Sequence, residues 1–329
     1  MPQHTTDRAF AAALMLAVLS GSMVAIQSRI NGALADRVGS FPAAGVSFLT
    51  GFAVLSAVMV MPSVRRRVGA VLAAIREHRL RWWQLLGGVG GGLLVSTQTY
   101  AVPRVGVAAF LIAVVAGQGM SALLVDRQGW GPGAALPLTV LRVAGAVTGV
   151  FGVAVAATAS GGSAGAGLPL LPLLLAFGVG LGGSVQYALN GRVTTVGRNP
   201  LATAWINFAV GTCTVLVAGT AAVVAGLASL PTTFRAPWWA WLGGLCGVVF
   251  IAGAAWAVQH TGVLVFALVA VTSQVGVALL LDLTNPAVSE RIGRQFLLGL
   301  TLTVLGAITA GVAARKDTLD SPASRPAAG

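Results

Sequence analysis

The chain has 329 residues, 56% of them hydrophobic and only 9% charged, with a mean hydropathy of +0.87. So few polar side chains cannot cover a soluble globule, which excludes a soluble enzyme or binding domain and demands a polytopic membrane protein. The net charge of +12 would suggest nucleic acid in a soluble chain; here it reads as a topology signal.

Taken in chain order, hydropathy predicts spanning helices at 9–31, 42–62, 82–102, 105–125 and 137–158, each near the roughly 20 residues that a bilayer requires. The first follows a short basic lead but is too long for a secretory signal, so it is read as a retained helix. The stretch Ala159 to Gly167, rich in Gly, Ser and Ala, reads as a linker over 159–168. Further spans follow at 169–190, 200–228, 238–258, 262–281 and 295–314, giving ten in all. Asn199-Pro200 has the form of a cap followed by a first-turn proline, and Pro103 marks the end of the third span. Gly87, Gly88, Gly91 and Gly92, with Gly243 and Gly247, and Gly145 with Gly149, form small-xxx-small patterns for close helix approach. Residues 315–329, rich in Ser, Pro, Ala and charge, are expected to be a disordered cytoplasmic tail.

Two halves of this list repeat one another. Gln27-xxx-Asn31-Gly32 returns as Gln186-xxx-Asn190-Gly191, and Trp82-Trp83, Gly87-Gly88, Gly106, Phe110, Gln118 and Asp126 return at one constant offset as Trp238-Trp239, Gly243-Gly244, Gly262, Phe266, Gln274 and Asp282. Residues 1–158 and 169–314 are therefore expected to be two five-helix repeats. An odd helix number inverts the second repeat in the bilayer, which is a secondary-transporter design. With the N-terminus cytoplasmic, most Lys and Arg fall on that side, chiefly in the loop Arg65 to Arg81, and both termini lie inside. That loop also suits anionic lipid.

The repeated amides, with Ser47-Phe48-Leu49-Thr50-Gly51 and its counterpart Asn207-Phe208-Ala209-Val210-Gly211, resemble the bacterial membrane proteins grouped as domain of unknown function 606 (DUF606), in the drug/metabolite transporter superfamily. The resemblance covers residues 9 to 314 and has the fused, two-unit form. It implies an all-α bundle of ten helices around a central cavity, like EamA-type proteins, in the bacterial cytoplasmic membrane, and transport of a small metabolite or drug. Unfused members are expected to pair, so a homodimer is the natural oligomer to test.

Residues four apart on a helix share a face, so Gln27 and Asn31 project together, as do Gln186 and Asn190. Amides are costly in hydrocarbon and should face the bundle interior or a wet cavity. The expected topology puts Gln27, Asn31, Ser47 and Gln98 near the outer end, and Gln186, Asn190 and Asn207 near the inner end. These two sets are read as alternating gates and substrate contacts, with Gln118 and Gln274 facing a midplane site; the competing reading is that the amides only lock helices together. Tyr100, Tyr187, Trp205 and Trp256 could line a cavity or merely pack, whereas Trp82, Trp83, Trp238, Trp239 and Trp241 read as interfacial anchors. Asp126 and Asp282 sit at helix ends, where Arg127 or Arg294 could pair with them, and whether they titrate in function is open. Arg104, Arg142 and Arg192 are expected to snorkel, and Arg29 could steer an anion. Cys213 and Cys246 read as packing residues.

No catalytic or metal-binding constellation of His, Cys or carboxylates falls within a helix, so neither enzyme activity nor a cofactor is expected. The reading is a secondary transporter working by alternating access on a small neutral or zwitterionic substrate. A passive channel of the same fold and a non-transporting scaffold remain as rivals.

Overall fold

The computed structural model describes residues 3–131, 135–159, 170–226, 228, 230–231, 233–290 and 292–320. The expected linker lies, apart from its first residue, outside the described residues. Among them every regular element is helical: α1 (Gln3–Val38), α2 (Ser40–Val58), α3 (Pro62–Arg76), α4 (Gly87–Val105), α5 (Val107–Arg127), α6 (Val140–Ala159), α7 (Leu170–Gly197), α8 (Pro200–Val224), α9 (Gly243–Leu283), α10 (Pro286–Ser289) and α11 (Arg294–Asp320). Short 3₁₀ turns at Trp82–Leu86 and Trp238–Leu242 lead into α4 and α9, with Trp82 and Trp238 well exposed.

Eight of the described helices are long and apolar enough to cross a membrane, two fewer than the ten expected spans. The glycine-rich α4 falls short in hydropathy, and the stretch Trp238–Ile251 is too short to count by itself. The second repeat is expected to hold two spans at 238–258 and 262–281, and one helical element, α9, covers both. α9 doubles back within its length, because Gly253 lies against Ser20 and Ala270 against Gly21, so its two arms reach adjacent residues of α1. In the first repeat Pro103, which lacks an N–H, sits in the last turn of α4, and that helix stops at Gly106 with φ 86° before α5 begins.

The basic loop is an amphipathic helix rather than an irregular connection. Val64, Val68, Val71 and Ala74 of α3 are buried, and Val71 and Ala74 pack with Val193 of α7 and Ile206 of α8, while Arg65, Arg66, Arg67 and Arg76 stay exposed. The tail differs likewise: residues 315–320 continue α11, and only 321–329 lie outside the described residues. Asn199 caps α8 as its sequence predicts, accepting from Leu201 N (2.8 Å) and Ala202 N (3.2 Å).

The helices pack crosswise. α1 lies along α9, and its counterpart α7 lies along α4 and α5; α2 packs on α8 and α6 on α11. The last contact is backbone to backbone, since a Cβ on Gly152 would overlap Gly299 and Thr303, and one on Gly306 would overlap Gly145 and Gly149. α5 is central, with every residue from Val107 to Gly117 buried.

Candidate functional site

The repeated amides meet the repeated glycines of the opposite half. A Cβ on Gly243 would fall on Asn31 Oδ1, and one on Gly87 would fall on Asn190 Oδ1. One on Gly247 would lie 3.1 Å from Gln27 Nε2, and one on Gly91 would lie 3.2 Å from Gln186 Nε2. α2 and α8 complete the mirror, because Gly51 receives the ring of Phe208 and Gly211 that of Phe48, the two rings lying 5.2 Å apart. Glycine is required at these positions by the close approach, which sets an amide from one repeat on the backbone of the other.

The first cluster, around Asn31, is closed and hydrogen-bonded. Asn31 Nδ2 donates to Gln98 Oε1 (2.7 Å), and Gln98 Nε2 donates to Ser28 Oγ (2.6 Å), so α1 is stapled to α4. Asn31 and Ser28 are 0% exposed, and Gln98 and Ser47 are 2% exposed. Asn31 Oδ1 and Ser47 Oγ have no hydrogen-bond partner among the described residues, and both face Gly243. Leaving a buried polar atom unpaired costs about 1–3 kcal/mol, so two at one place mark a cluster not optimised for packing alone.

The second cluster is looser. Asn207 Nδ2 donates to Asn190 Oδ1 (3.1 Å), Thr194 bonds Thr203 (2.9 Å), and Gln186 and Asn190 are only half-buried. Tyr187 stands where Ser28 stands in the first repeat, and it is 52% exposed. Ala254 holds the place equivalent to Gln98 and cannot bond across. Accordingly α7 and the start of α9 make almost no contact, unlike α1 and α4.

Gln118 Nε2 reaches Tyr187 Oη at 3.4 Å and the Gln118 backbone carbonyl accepts from Ser184 Oγ (2.8 Å), placing it at the edge of the second cluster. Gln274 is half-buried on α9. Trp205 packs rather than lining an opening: its ring lies 5.6 Å from Phe52 and its Nε1 donates to Ser56 Oγ (3.1 Å). The Tyr100 ring lies 3.9 Å beneath the Arg104 guanidinium. An apolar groove of about 590 Å³ opens between α4 and α8, lined by Leu86, Val89, Val210, Cys213 and Val217.

The charged residues correct three expectations. Asp126 pairs with Arg142 of α6 (2.5 Å), not with Arg127, because the start of α6 brings Arg142 beneath the end of α5. Arg142 is 2% exposed and does not snorkel; it also donates to Pro137 O (2.8 Å). Arg192 donates to the carbonyls of Gly129 and Trp130, both at 2.6 Å. Among the described residues Asp282 does not form the expected pair with Arg294. Its carboxylate accepts from Val107 N (2.9 Å) and Ala108 N (2.7 Å), capping α5 of the first repeat, with Arg29 the cation that acts on it. Sequence spacing could not disclose this bond, which joins residues 175 apart.

Eight long apolar helices, with buried amides at paired glycine crossings, define a polytopic membrane protein of helical type. The chain belongs to the family described as "Putative inner membrane exporter, YdcZ", whose model matches twice, over residues 12–155 and 171–309, so it has the two-repeat form. This fits the drug/metabolite transporter superfamily, and it is not an enzyme family. No curated protein matches the chain. Nine chains of solved structures do. One, described only as "Crystal structure of protein", is 20% identical, covers 96% of this chain and 99% of its own, and superposes with a TM-score of 0.52, a likeness of fold alone.

Proposed function

We propose that the protein is a secondary transporter of the bacterial inner membrane that moves a small neutral or zwitterionic polar molecule by alternating access. The family description favours export. Two inverted five-helix repeats would form its ten spans, with α4 and the stretch Trp238–Ile251 joining the eight long apolar ones, and both termini would be cytoplasmic. The glycine crossings make this geometrically feasible, since a lost side-chain hydrogen bond there separates two smooth helix surfaces.

The observation that carries the reading is the unequal state of two equivalent clusters. Ser28 is fully buried behind the Asn31–Gln98 staple, while its counterpart Tyr187 is exposed. In the proposed cycle the stapled cluster is the closed gate and the looser one the gate that yields, which is the inequality alternating access requires. Gln27, Asn31 and Ser47, against Gln186, Asn190 and Asn207, would contact substrate in turn, with Gln118 and Gln274 between them. The unpartnered Asn31 Oδ1 and Ser47 Oγ supply an acceptor and a hydroxyl suited to an uncharged polar ligand. On the cytoplasmic face, Arg65, Arg66, Arg67 and Arg76 of α3 would meet anionic lipid head groups.

The test is thermal stability of the purified protein against amino acids, sugars, nucleosides, organic anions and lipophilic cations at millimolar concentration. A ligand binding only the folded state raises stability by RT ln(1 + [L]/Kd), so weak sites are visible. A hit among polar neutral or zwitterionic compounds that vanishes in Gln186→Ala and in Gln27→Ala supports the proposal. A hit confined to lipophilic cations, or one indifferent to both substitutions, sinks it.

A further inference from the structure

We infer that the apolar groove between α4 and α8 is the site of one glycerophospholipid, whose acyl chain fills the groove and whose phosphate rests on Arg81. Such a site goes beyond transport and does not depend on it. The groove, of about 590 Å³, has Leu86 and Val89 of α4 on one wall and Ala209, Cys213 and Val217 of α8 on the other. Cys213 and Val217 are exposed, so it opens away from the bundle, toward the hydrocarbon of a bilayer. The Thr214 hydroxyl on its wall donates to Val210 O (2.9 Å) and is thereby withdrawn. The floor is backbone, since a Cβ on Gly88 would fall on Asn207 O and one on Gly92 would meet Gly211 O at 3.0 Å. Among the described residues, the side-chain hydrogen bonds of α8 go to α2, to α7 and to itself, and none goes to α4.

Length, polarity and the contrast with the other repeat specify the occupant. From Ala209 to Val217 the groove follows α8 for about 12 Å, and Leu86 carries it on toward the turn Trp82–Leu86. One leaflet offers roughly 15 Å of hydrocarbon, which a single chain lying along the helix spans. At the Leu86 end the chemistry changes in order, from Leu86 through the exposed rings of Trp82 and Trp83 to Arg81. A 3₁₀ turn rises about 2 Å per residue, which sets Arg81 about 10 Å beyond Leu86, at the depth of head groups. Arg81 N donates to Gln84 Oε1 (2.9 Å), which closes the turn and fixes where the side chain starts. Arg79 is spent on Glu77 (2.5 Å), whereas Arg81 is exposed and pairs with no carboxylate among the described residues. A guanidinium fork fits phosphate oxygens two at a time, and phosphate is common to zwitterionic and anionic phospholipids. The site therefore selects a phospholipid rather than a net charge. The mirror crossing of α9 with α2 differs on each count: Leu245 and Leu49 stand where the groove has Val89 and Ala209, and Pro237 stands where it has Arg81. On the inner face of the seam, Gly87 and Gly91 lie against Asn190 and Gln186. A bound chain thus backs the wall of the second cluster and adds contacts to two helices that share no side-chain bond.

The experiment uses the full chain, purified in detergent and freed of lipid, with bound molecules counted by native mass spectrometry as each probe is titrated in. The probes are dioleoyl phosphatidylcholine, dioleoyl phosphatidylglycerol, dioleoylglycerol, which lacks phosphate, and glycerophosphocholine, which lacks chains. A single phosphatidylcholine is expected to bind each chain first, with phosphatidylglycerol within about three-fold of it, dioleoylglycerol about ten-fold weaker and glycerophosphocholine not retained. Val89→Leu with Ala209→Leu copies the filled mirror and should weaken phosphatidylcholine and dioleoylglycerol alike, by about ten-fold. Arg81→Gln should bring phosphatidylcholine down to the level of dioleoylglycerol and leave dioleoylglycerol where it was, a split that loss of structure would not give. Cys213→Phe, which intrudes from the exposed wall, serves if the leucine pair fails to fold on size-exclusion chromatography. Undiminished retention of phosphatidylcholine in a folded groove-filling variant, or retention indifferent to Arg81→Gln, overturns the site. So does binding of glycerophosphocholine as tight as that of phosphatidylcholine. Loss of the bound molecule on replacing Arg65, Arg66 and Arg67 with Gln would seat it on α3 and overturn the site as well.

Discussion

The two repeats contain equivalent helices and equivalent amides, but the first cluster is knotted shut and the second is slack. The difference traces to two substitutions between the halves. Where the first repeat has Ser28 and Gln98, which bond to each other while Gln98 also accepts from Asn31, the second has Tyr187 and Ala254, which cannot reproduce that chain of donors and acceptors. A third substitution places Gln259 where Pro103 ends α4 in the first repeat. Duplication thus supplied two copies of a glycine–amide crossing, and a handful of later differences gave the copies unequal strength. In the proposed cycle, clusters of unequal strength bias the unliganded protein toward one state, while the gradient alone sets the direction of net transport.

The comparison can be pressed at four places. The glycine crossings should behave alike in both halves: Gly88→Leu and Gly244→Leu each drive a side chain into backbone, against Asn207 and Gly211 in one case and Ser47 and Gly51 in the other. Each should destabilise by about 3 kcal/mol or more and abolish folded yield on size-exclusion chromatography; tolerance of one alone would break the mirror. The staples should behave unequally. Gln98→Leu leaves Asn31 and Ser28 without their partner in a buried place and should cost about 2 kcal/mol by thermal denaturation. Asn190→Leu removes a single 3.1 Å bond in the slack cluster and should cost about 1 kcal/mol, with transport falling further than folded yield.

Smaller effects separate the halves further. Asn199→Ala removes the only side-chain acceptor at the start of α8 and should cost about 1 kcal/mol, whereas α2, whose N-cap is Gly39, has no such bond to lose. Replacing Arg65, Arg66 and Arg67 with Gln should leave stability in phosphatidylcholine nanodiscs unchanged. It should erase the gain given by phosphatidylglycerol, about 1 kcal/mol per residue near the surface. The equivalent connection of the second half, with Arg235 its only basic residue, should show no such dependence.

Much of the fold was legible in the sequence because membrane helices announce themselves by composition and because duplication prints each signal twice. The pairing of Gln27 with Asn31, the start of α8 at Asn199-Pro200 and the close approaches at Gly87-Gly88 and Gly243-Gly244 all rest on local spacing, which sequence preserves. What was missed depends on contacts between distant segments. The bond from Asp282 to the amides of α5, the burial of Arg142 beneath Asp126, and the tie from Gln98 to Ser28 have no local signature. Gln98 could have been noticed as a polar residue without a counterpart. The helix α3 was hidden for another reason. Its charges dominate its average hydropathy, although Val64, Val68 and Val71 repeat at helical spacing and would have shown one apolar face.

The central claim is that the two ends open in turn, and the most direct measurement is a pair of distances between equivalent positions. Spin labels at Asp36 and Arg104 span the stapled end, and labels at Thr195 and His260 span the slack one. Each pair is read by pulsed electron resonance in nanodiscs, before and after adding a ligand that stabilises the protein. The account predicts that the first pair lengthens as the second shortens. Distances that lengthen together, or that both stay fixed while the ligand binds, would contradict it.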